Sequence, residues 1–283
     1  MPYKIIIHDG KAHLDELIGS ALLSLHLGSE PDSIERIDSR DAEKRVNETP
    51  LPGDTYFIDC GMVFDPDRKL FDHHQDKGLD SSALLIFNQF FPHLVDTDLH
   101  NFIRLVSKVD TCGAMSLNDF HLMGESKEYF AFSHKILLKT FEDEPGLILK
   151  IFMAGLDDKI KFERAKKEAA LWLEEPGHIA ISQNTGLNII QYMVKPPSEL
   201  VSPMRSAITS VVEDNDISAI LSFDEKQTDA RTFYRTDYGH NHVDFSLSTP
   251  SETLFCHPGG FLMKFIPEDS EEWKRLIEES VIR

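Results

Sequence analysis

The residues best suited to chemistry are histidines and aspartates, which fall in short clusters within the first 110 residues. Imidazole and carboxylate together suit borderline divalent metals, and a carboxylate can bridge two ions. A pair of ions with shared ligands is a common device for hydrolysing phosphoesters. The pattern therefore predicts metal-assisted phosphoester chemistry. The clusters are His8-Asp9-Gly10-Lys11-Ala12-His13-Leu14-Asp15, Asp59-Cys60-Gly61, Asp72-His73-His74-Gln75 and Asp110.

Three of these clusters directly follow segments that are typical of strands: Lys4–Ile7, Thr55–Ile58 and Lys69–Phe71. Helical apolar spacing lies between them and after them, so strands alternate with helices, as in a parallel α/β sheet. In such sheets ligands gather beyond the carboxyl ends of the strands. We therefore expect the clusters to meet at one edge of the sheet. The predicted helices and the remaining strand are Asp15–Leu27, Asp41–Val46, Ser82–Phe91, Thr97–Val109 and Ile34–Ile37.

The rest of the chain predicts a long helix and then a second, smaller α/β domain. The helical pattern starts near Phe141 and stops at Pro176-Gly177. We expect a metal-binding catalytic domain at 1–140, a helical linker at 141–176 and a smaller substrate-binding domain at 177–283. Its predicted elements are strands Ile179–Ser182, Leu187–Met193, Ala219–Ser222, Thr232–Tyr234 and Phe261–Phe265, helix Pro203–Val212 and a last helix from Glu271.

Each residue type in the clusters suggests a role. A tight turn after a strand can aim His8, His13 and Asp15 at one point, and Asp59 can bridge two ions. His73 and Asp110 would complete the second ion. A water bridging both ions would be the nucleophile. The remaining two residues act beside the metals: His74 would contact a phosphate or protonate the leaving oxygen, and Asp72 would orient a histidine. Taken singly, His8 or Asp110 is more often a turn or cap residue, Asp59-Cys60-Gly61 is an ordinary turn at a strand end, and a DHH triplet arises by chance in many acidic chains. Their joint occurrence at strand ends favours a metal site.

The three motifs also carry a resemblance. His-x4-His-x-Asp-Glu, then Asp-x-Gly with Asp65-Pro66, then Asp-His-His-Gln resembles the DHH phosphoesterase superfamily. The first and third motifs are most similar to its Myg-type branch of metal-dependent hydrolases, which includes a 3′→5′ RNA exonuclease. The resemblance covers residues 4–113, with Ser81-Ser82-Ala83 and Val109-Asp110, and is weaker beyond them.

The resemblance implies two divalent ions, with Mn²⁺ favoured and Mg²⁺ as the alternative. One ion would take His8, His13 and Asp59; the other would take Asp15, Asp59, His73 and Asp110. His74 would correspond to the histidine that contacts the substrate. Two departures are visible: an aspartate usually stands in the superfamily at the position of His13, and Cys60-Gly61 replaces the branch's usual double glycine.

The segment Phe255-Cys256-His257-Pro258-Gly259-Gly260-Phe261 is similar to the substrate loop of the second domain in these enzymes. Gly259 and Gly260 would let backbone amides approach a phosphate, and His257 would supply a donor. The alternative is an ordinary glycine turn between two strands. Arg231 and Arg235 are candidates to bind a phosphate bidentately, or are solvated arginines at strand ends.

Composition limits the partners. The net charge is -19, from 48 acidic and 29 basic residues, which argues against long duplex DNA as a ligand. Bound divalent ions reverse the local field, so a short oligonucleotide or a small phosphoester remains compatible. No apolar run approaches the roughly 20 residues of a membrane span, and the start reads as a strand rather than a signal peptide. The three cysteines suggest no disulfide framework. We expect a cytoplasmic protein; its oligomeric state is not predicted.

Three functions compete at this point. The first is a two-metal phosphoesterase that trims short RNA or DNA as a 3′→5′ exonuclease. The second is hydrolysis of a small phosphorylated metabolite such as pyrophosphate or a nucleotide phosphoester, which the acidic charge favours. The third is a non-catalytic interaction protein that keeps the fold and its metal for stability; His74, which is not a predicted ligand, argues against it.

Overall fold

The structure is a computed structural model and describes residues 2–47, 53–113 and 135–282. The chain divides into two compact units, Met1–Glu163 and Arg164–Arg283. The division falls inside a helix that spans Pro145–Glu174. The α/β fold class predicted from the sequence is confirmed, whereas the predicted domain bounds of 1–140, 141–176 and 177–283 stay a prediction.

The first unit contains a sheet whose described strands lie in the order β2-β1-β3-β5-β4. Neighbours β2-β1, β1-β3 and β3-β5 are parallel, and β4 pairs with β5 in the antiparallel direction. The isoleucines of β1 are buried, as expected for a strand covered on both faces. The strands are β1 (Lys4–His8), β2 (Ser33–Ile37), β3 (Thr55–Ile58), β4 (Phe64–Asp65) and β5 (Leu70–Phe71).

Helices cover this sheet and supply the core. Helix α1 buries a run of apolar side chains from Leu17 to Leu23 and ends at Gly28, whose φ is +71°. Helix α6 begins at Pro145, a residue preorganised for the first helical position, so the predicted start at Phe141 lies in the helix before it. The helices are α1 (Leu14–Leu27), α2 (Ser39–Val46), α3 (Ser82–Phe90), α4 (Asp98–Cys112), α5 (135–143) and α6 (Pro145–Glu174).

The second unit contains a mixed sheet in the order β10-β11-β9-β8-β7-β6. Among these described strands β7 and β8 pair in parallel and the other neighbours are antiparallel. Its elements are β6 (Ile179–Asn184), β7 (Leu187–Tyr192), α7 (Val201–Ala207), α8 (Thr209–Asp214), β8 (Ile217–Phe223), β9 (Arg231–Arg235), β10 (Glu252–Cys256), β11 (Leu262–Ile266) and α9 (Glu272–Ser280).

Three elements differ from the sequence-based prediction. Strand β4 has two residues, too few to show a period, and it makes the edge of the first sheet antiparallel. Strand β10 is largely exposed, so it lacks the alternation that marks a half-buried strand. The single helix predicted over Pro203–Val212 is two helices that meet at Ile208. No helix in the described ranges is both long and apolar enough to cross a bilayer.

Candidate metal centre

The parallel strands bring the clusters of the first unit together. His8 ends β1, Asp59 follows β3, and Asp72 and His73 follow β5. Because β1, β3 and β5 are parallel neighbours, their carboxyl ends lie at the same edge of the sheet. Asp110 reaches the same place from α4, where its carboxylate lies 3.1 Å from Nε2 of His73.

Asp59 lies between two groups of possible ligands. Its Oδ2 is 3.4 Å from Nε2 of His8, and its Oδ1 is 3.2 Å from Nε2 of His73. The side chain is 1% exposed, and among the described residues neither oxygen takes part in a hydrogen bond of ordinary geometry. A buried carboxylate without hydrogen bonds is costly unless a cation compensates it. Asp59 therefore lies between His8 and His73, and its predicted role as a bridging ligand stays a prediction.

The turn that carries Asp59 has an unusual backbone. Asp59 has a φ of +56° and Gly61 a φ of +102°, in the region that costs most L-residues about 1–2 kcal/mol. A Cβ on Gly61 would lie 2.6 Å from Cγ2 of Val46, so glycine is required there. Cys60, which stands where the Myg-type branch has a glycine, is buried and directs its thiol to the carbonyl oxygen of Ile6. Burial raises the pKa of this thiol, which keeps it protonated and unsuited to metal binding.

One group of possible ligands consists of Asp15, Asp59, His73 and Asp110. One ligand atom of each lies within 4.8 Å of those of the others. These are the four residues that the resemblance implies for one ion. Their role as ligands stays a prediction, but the described structure brings all four together.

Asp15 is oriented by the start of α3. Its carboxylate accepts hydrogen bonds from the hydroxyl of Ser81 and from the amides of Ser82 and Ala83, the two amides at 2.9 Å each. Burial, together with the carboxylates of Asp59 and Asp110, raises the pKa of Asp15 to about 8. Positive charge in the centre would oppose that shift.

A second group consists of His8, His13, Glu16 and Asp59, with ligand atoms within the same 4.8 Å. Glu16 is the last residue of the motif His-x4-His-x-Asp-Glu, but the sequence analysis gave it no role. Its position in the first turn of α1 is one where a glutamate is usually explained as a capping residue. Here it is fully buried, and its Oε2 lies 3.5 Å from Nε2 of His8.

The pKa values of His8 and His73 are raised by the carboxylates around them. Burial lowers the pKa of His8, but contacts with Asp59 and Glu16 outweigh it and raise the pKa to about 10. The same balance, with Asp110 and Asp59 as partners, raises the pKa of His73 to about 10. Carboxylates thus outnumber the fixed positive charges around them. Divalent cations would supply the missing charge and displace the protons.

Asp72 and His74 form a pair beside these groups. Nδ1 of His74 lies 2.7 Å from Oδ1 of Asp72, and the imidazole is 51% exposed. Asp72 is buried and also accepts hydrogen bonds from the amides of Met62, His73 and His74. Although burial alone would raise the pKa of Asp72, these donors hold it below its usual value. Asp72 therefore stays ionised and fixes the ring of His74.

The donor set fits divalent metal ions. Imidazole nitrogens and carboxylate oxygens surround Asp59, a mixture that divalent transition-metal ions can bind. Buried polar atoms without hydrogen bonds concentrate here: both oxygens of Asp59, Nε2 of His73 and Oε1 of Glu16 belong to this set in the described residues. Such atoms in a native fold call for an explanation, and a bound cation supplies one.

The residues predicted to bind substrate lie in the second unit. His257, Gly259 and Gly260 occupy the turn between β10 and β11, where Nδ1 of His257 accepts from the amide of Gly259 at 3.0 Å. Gly260 has a φ of +63°, and a Cβ there would come within 1.8 Å of Oδ1 of Asp244. Packing against Asp244 thus explains why a glycine stands at position 260 without a bound phosphate. Substrate binding by this turn stays a prediction.

The two predicted arginines also have protein partners. Nη1 of Arg235 donates to the carbonyl oxygen of Val243 at 2.8 Å. Arg231 lies 3.8 Å from the ring centroid of Phe223 and donates to the carbonyl oxygen of Tyr192. A cavity of about 280 Å³ lies in this unit, but neither arginine nor the glycine turn lines it. Phosphate binding by Arg231 and Arg235 remains a prediction.

Comparison with known proteins covers part of the chain. No curated protein matches it. Residues 4–101 match the family model MYG1_exonuc, described as an uncharacterised protein family (UPF0160). The matched segment contains His8, Glu16, Asp59 and the Asp72–His74 pair, and it ends before Asp110. The segment that builds most of the candidate metal centre is thus similar to a family named for an exonuclease.

Proposed function

We propose that the protein is a metal-dependent phosphoesterase that binds two divalent ions and acts on short nucleic acid as a 3′→5′ exonuclease. The observation that carries the proposal is the position of Asp59, whose two buried oxygens face two different histidines and have no hydrogen bond in the described structure. The match of residues 4–101 to an exonuclease-named family supports the reaction class. Mn²⁺ suits the mixed donor set better than Mg²⁺, which prefers oxygen ligands.

The side chains divide the work. When bound, two divalent ions stabilise negative charge on a phosphoryl group and make a water molecule more acidic. Asp15 is fixed by three hydrogen bonds from the start of α3 and, together with Asp59, would hold an ion. Asp72 occupies Nδ1 of His74, so the other ring nitrogen is left to contact a phosphate or protonate the leaving oxygen.

A second candidate is hydrolysis of a small phosphoester such as pyrophosphate or a nucleotide phosphoester. The net charge of -19 favours it, because a strongly acidic chain repels a long polyanion. The exonuclease reaction on short oligonucleotides is compatible with that charge, since few phosphates need to approach. Long duplex DNA is excluded from the proposal for the same reason.

The test is hydrolysis of short RNA, short DNA, pyrophosphate and a chromogenic phosphodiester with Mn²⁺, Mg²⁺ or chelator. We expect Mn²⁺-dependent release of mononucleotides from the 3′ end. The Asp59→Asn variant should lose this activity, and Asp67→Asn, which removes an exposed carboxylate of the same unit, should keep it. Turnover of pyrophosphate alone would favour the second candidate. A metal-loaded protein that hydrolyses none of the four would contradict an enzymatic function.

A further inference from the structure

Glu16 is buried in a way that its local role in α1 does not explain. Its Oε2 accepts a hydrogen bond from the amide of His13 at 2.9 Å and lies 3.5 Å from Nε2 of His8. Its Oε1 is buried without a hydrogen bond in the described residues. One oxygen of Glu16 also lies within 4.8 Å of ligand atoms of His8, His13 and Asp59. The carboxylate is thus positioned as a fourth member of that group.

Arg36 stands on the other side of Glu16. Its Nη1 is 3.6 Å from Oε1 of Glu16, and its side chain is 13% exposed. Its Nη2 donates to the carbonyl oxygen of Gly10 at 2.6 Å, which ties the loop between β1 and α1 to strand β2. The guanidinium also lies 5.9 Å from the ring centroid of Phe141. Arg36 therefore contacts the loop between β1 and α1, the carboxylate of Glu16 and the ring of Phe141.

We propose that Glu16 is a ligand of the ion bound by His8, His13 and Asp59, and that Arg36 is the positioning residue that holds it. The inference rests on the proposed function and extends it to two residues, Glu16 and Arg36, that lie in the matched segment without a role assigned to either. Oε1 of Glu16 faces the guanidinium of Arg36, and Oε2 faces His8. The carboxylate thus lies between Arg36 and the proposed metal ligands. Arg36 also holds the loop that separates His8 from His13, so it sets the spacing of two further ligands.

A capping box is the competing explanation. In that motif a glutamate or glutamine at the third helical position accepts from the N-cap amide, as Glu16 does from His13. Glutamine performs that function as well as glutamate does. A capping residue needs neither full burial nor a buried guanidinium beside it. The Glu16→Gln variant therefore keeps the cap and removes the charge that an ion would require.

The experiment is a Mn²⁺ titration of the chelator-stripped full chain, with free Mn²⁺ followed by electron paramagnetic resonance. We expect wild type to bind two ions, and E16Q to bind one of them at least about 10-fold more weakly and the other within about 2-fold of wild type. The matched control is E35Q, which removes an exposed carboxylate from the same strand as Arg36 and should bind both ions as wild type does. Thermal unfolding of each metal-free variant checks that it is folded.

Variants of Arg36 test the positioning role. R36Q should weaken binding of the same ion that E16Q affects. R36K should bind that ion more tightly than R36Q does, because lysine keeps the positive charge beside Glu16. A purely structural Arg36 would lower the unfolding midpoint and leave both affinities unchanged. Wild-type affinity for both ions in E16Q would overturn the inference and leave the proposed function intact. A wild type that binds no ion would overturn both.

Discussion

Polar groups have different partners in the two units. In the candidate metal centre of the first unit, the oxygens of Asp59 and Nε2 of His73 are buried without hydrogen bonds in the described residues. In the second unit, His257 accepts from the amide of Gly259, and Arg235 donates to the carbonyl oxygen of Val243. Both regions were singled out by sequence motifs. In the first region these polar atoms lack hydrogen bonds in the described structure, whereas in the second region the polar side chains are bound to the protein's own backbone.

The largest expected effect is that a substitution in the first region abolishes Mn²⁺ binding, whereas a substitution in the second region does not. Asp59→Asn should abolish binding of both Mn²⁺ ions and lower phosphoester hydrolysis by more than about 100-fold, because even partners outside the ligand shell typically cost 10–100-fold. His257→Ala should bind both ions as wild type does. The measurement is Mn²⁺ stoichiometry by calorimetry together with the rate on short RNA. Loss of an ion in His257→Ala would remove the contrast between the regions.

Metal should stabilise one unit more than the other. At 100 times the dissociation constant, a bound ion stabilises the folded state by about 2.7 kcal/mol. Both tryptophans, Trp172 and Trp273, lie in the second unit, so their fluorescence reports its unfolding. We expect Mn²⁺ to raise the midpoint seen by circular dichroism more than the midpoint seen by tryptophan fluorescence. Neither midpoint should shift in Asp59→Asn, and equal shifts by both probes in wild type would contradict the prediction.

The glycine turn should matter for stability without affecting the ions. Gly260→Ala forces a Cβ toward Oδ1 of Asp244 at a φ of +63°, so we expect a loss of about 2–3 kcal/mol in the free energy of unfolding. Gly259→Ala is the matched control, since its Cβ would meet Nδ1 of His257 at 3.3 Å without a positive φ. It should cost under about 1 kcal/mol. Denaturant unfolding measures the stability of both variants. Unchanged stability of Gly260→Ala would show that packing does not require a glycine at this position.

The sequence best predicts the strands that have a buried apolar pattern and the residues that directly follow them. The isoleucines of β1 and the run before Asp59 predict buried strands, and parallel strands must bring their carboxyl ends to one edge. The strand order thus predicts that His8, Asp59 and His73 lie together, and the structure brings them together. The same reasoning missed β4 and β10, because a two-residue strand has no period and an exposed strand has no apolar alternation.

Contacts between distant segments could not be predicted. Glu16 occupies a capping position, which gives it an ordinary local explanation, and only the fold shows Arg36 of β2 beside it. The link between Asp15 and Ser81 joins residues far apart in the chain. Positive φ at Asp59 also has no sequence signal, since aspartate at a strand end fits many turns. Side-chain partners across the chain thus decide which motif residues are left to bind a ligand.

The smallest expected effect concerns a carboxylate of the second unit that already has its partners. Burial alone would raise the pKa of Asp224, but Lys264 at 2.6 Å and two backbone amides lower it to about 2. Since the pKa in the unfolded chain is about 3.9, this carboxylate stabilises the fold above pH 4 and loses that contribution as the pH falls toward 2. With allowance for solvent at the half-buried Lys264, we expect about 1 kcal/mol at pH 7.

Asp224→Asn should therefore be less stable than wild type at pH 7 and much closer to it near pH 2, when both are unfolded by urea in chelator. Asp229→Asn, an exposed neighbour, is the control and should track wild type at both values. A stability difference as large at pH 2 as at pH 7 would mean that Asp224 acts through packing rather than charge. Asp224 and Asp15 are both buried, yet the pKa of one is lowered and that of the other is raised. The difference follows from their neighbours: Asp224 faces an ammonium of its own chain, whereas Asp15 faces the carboxylates of Asp59 and Asp110.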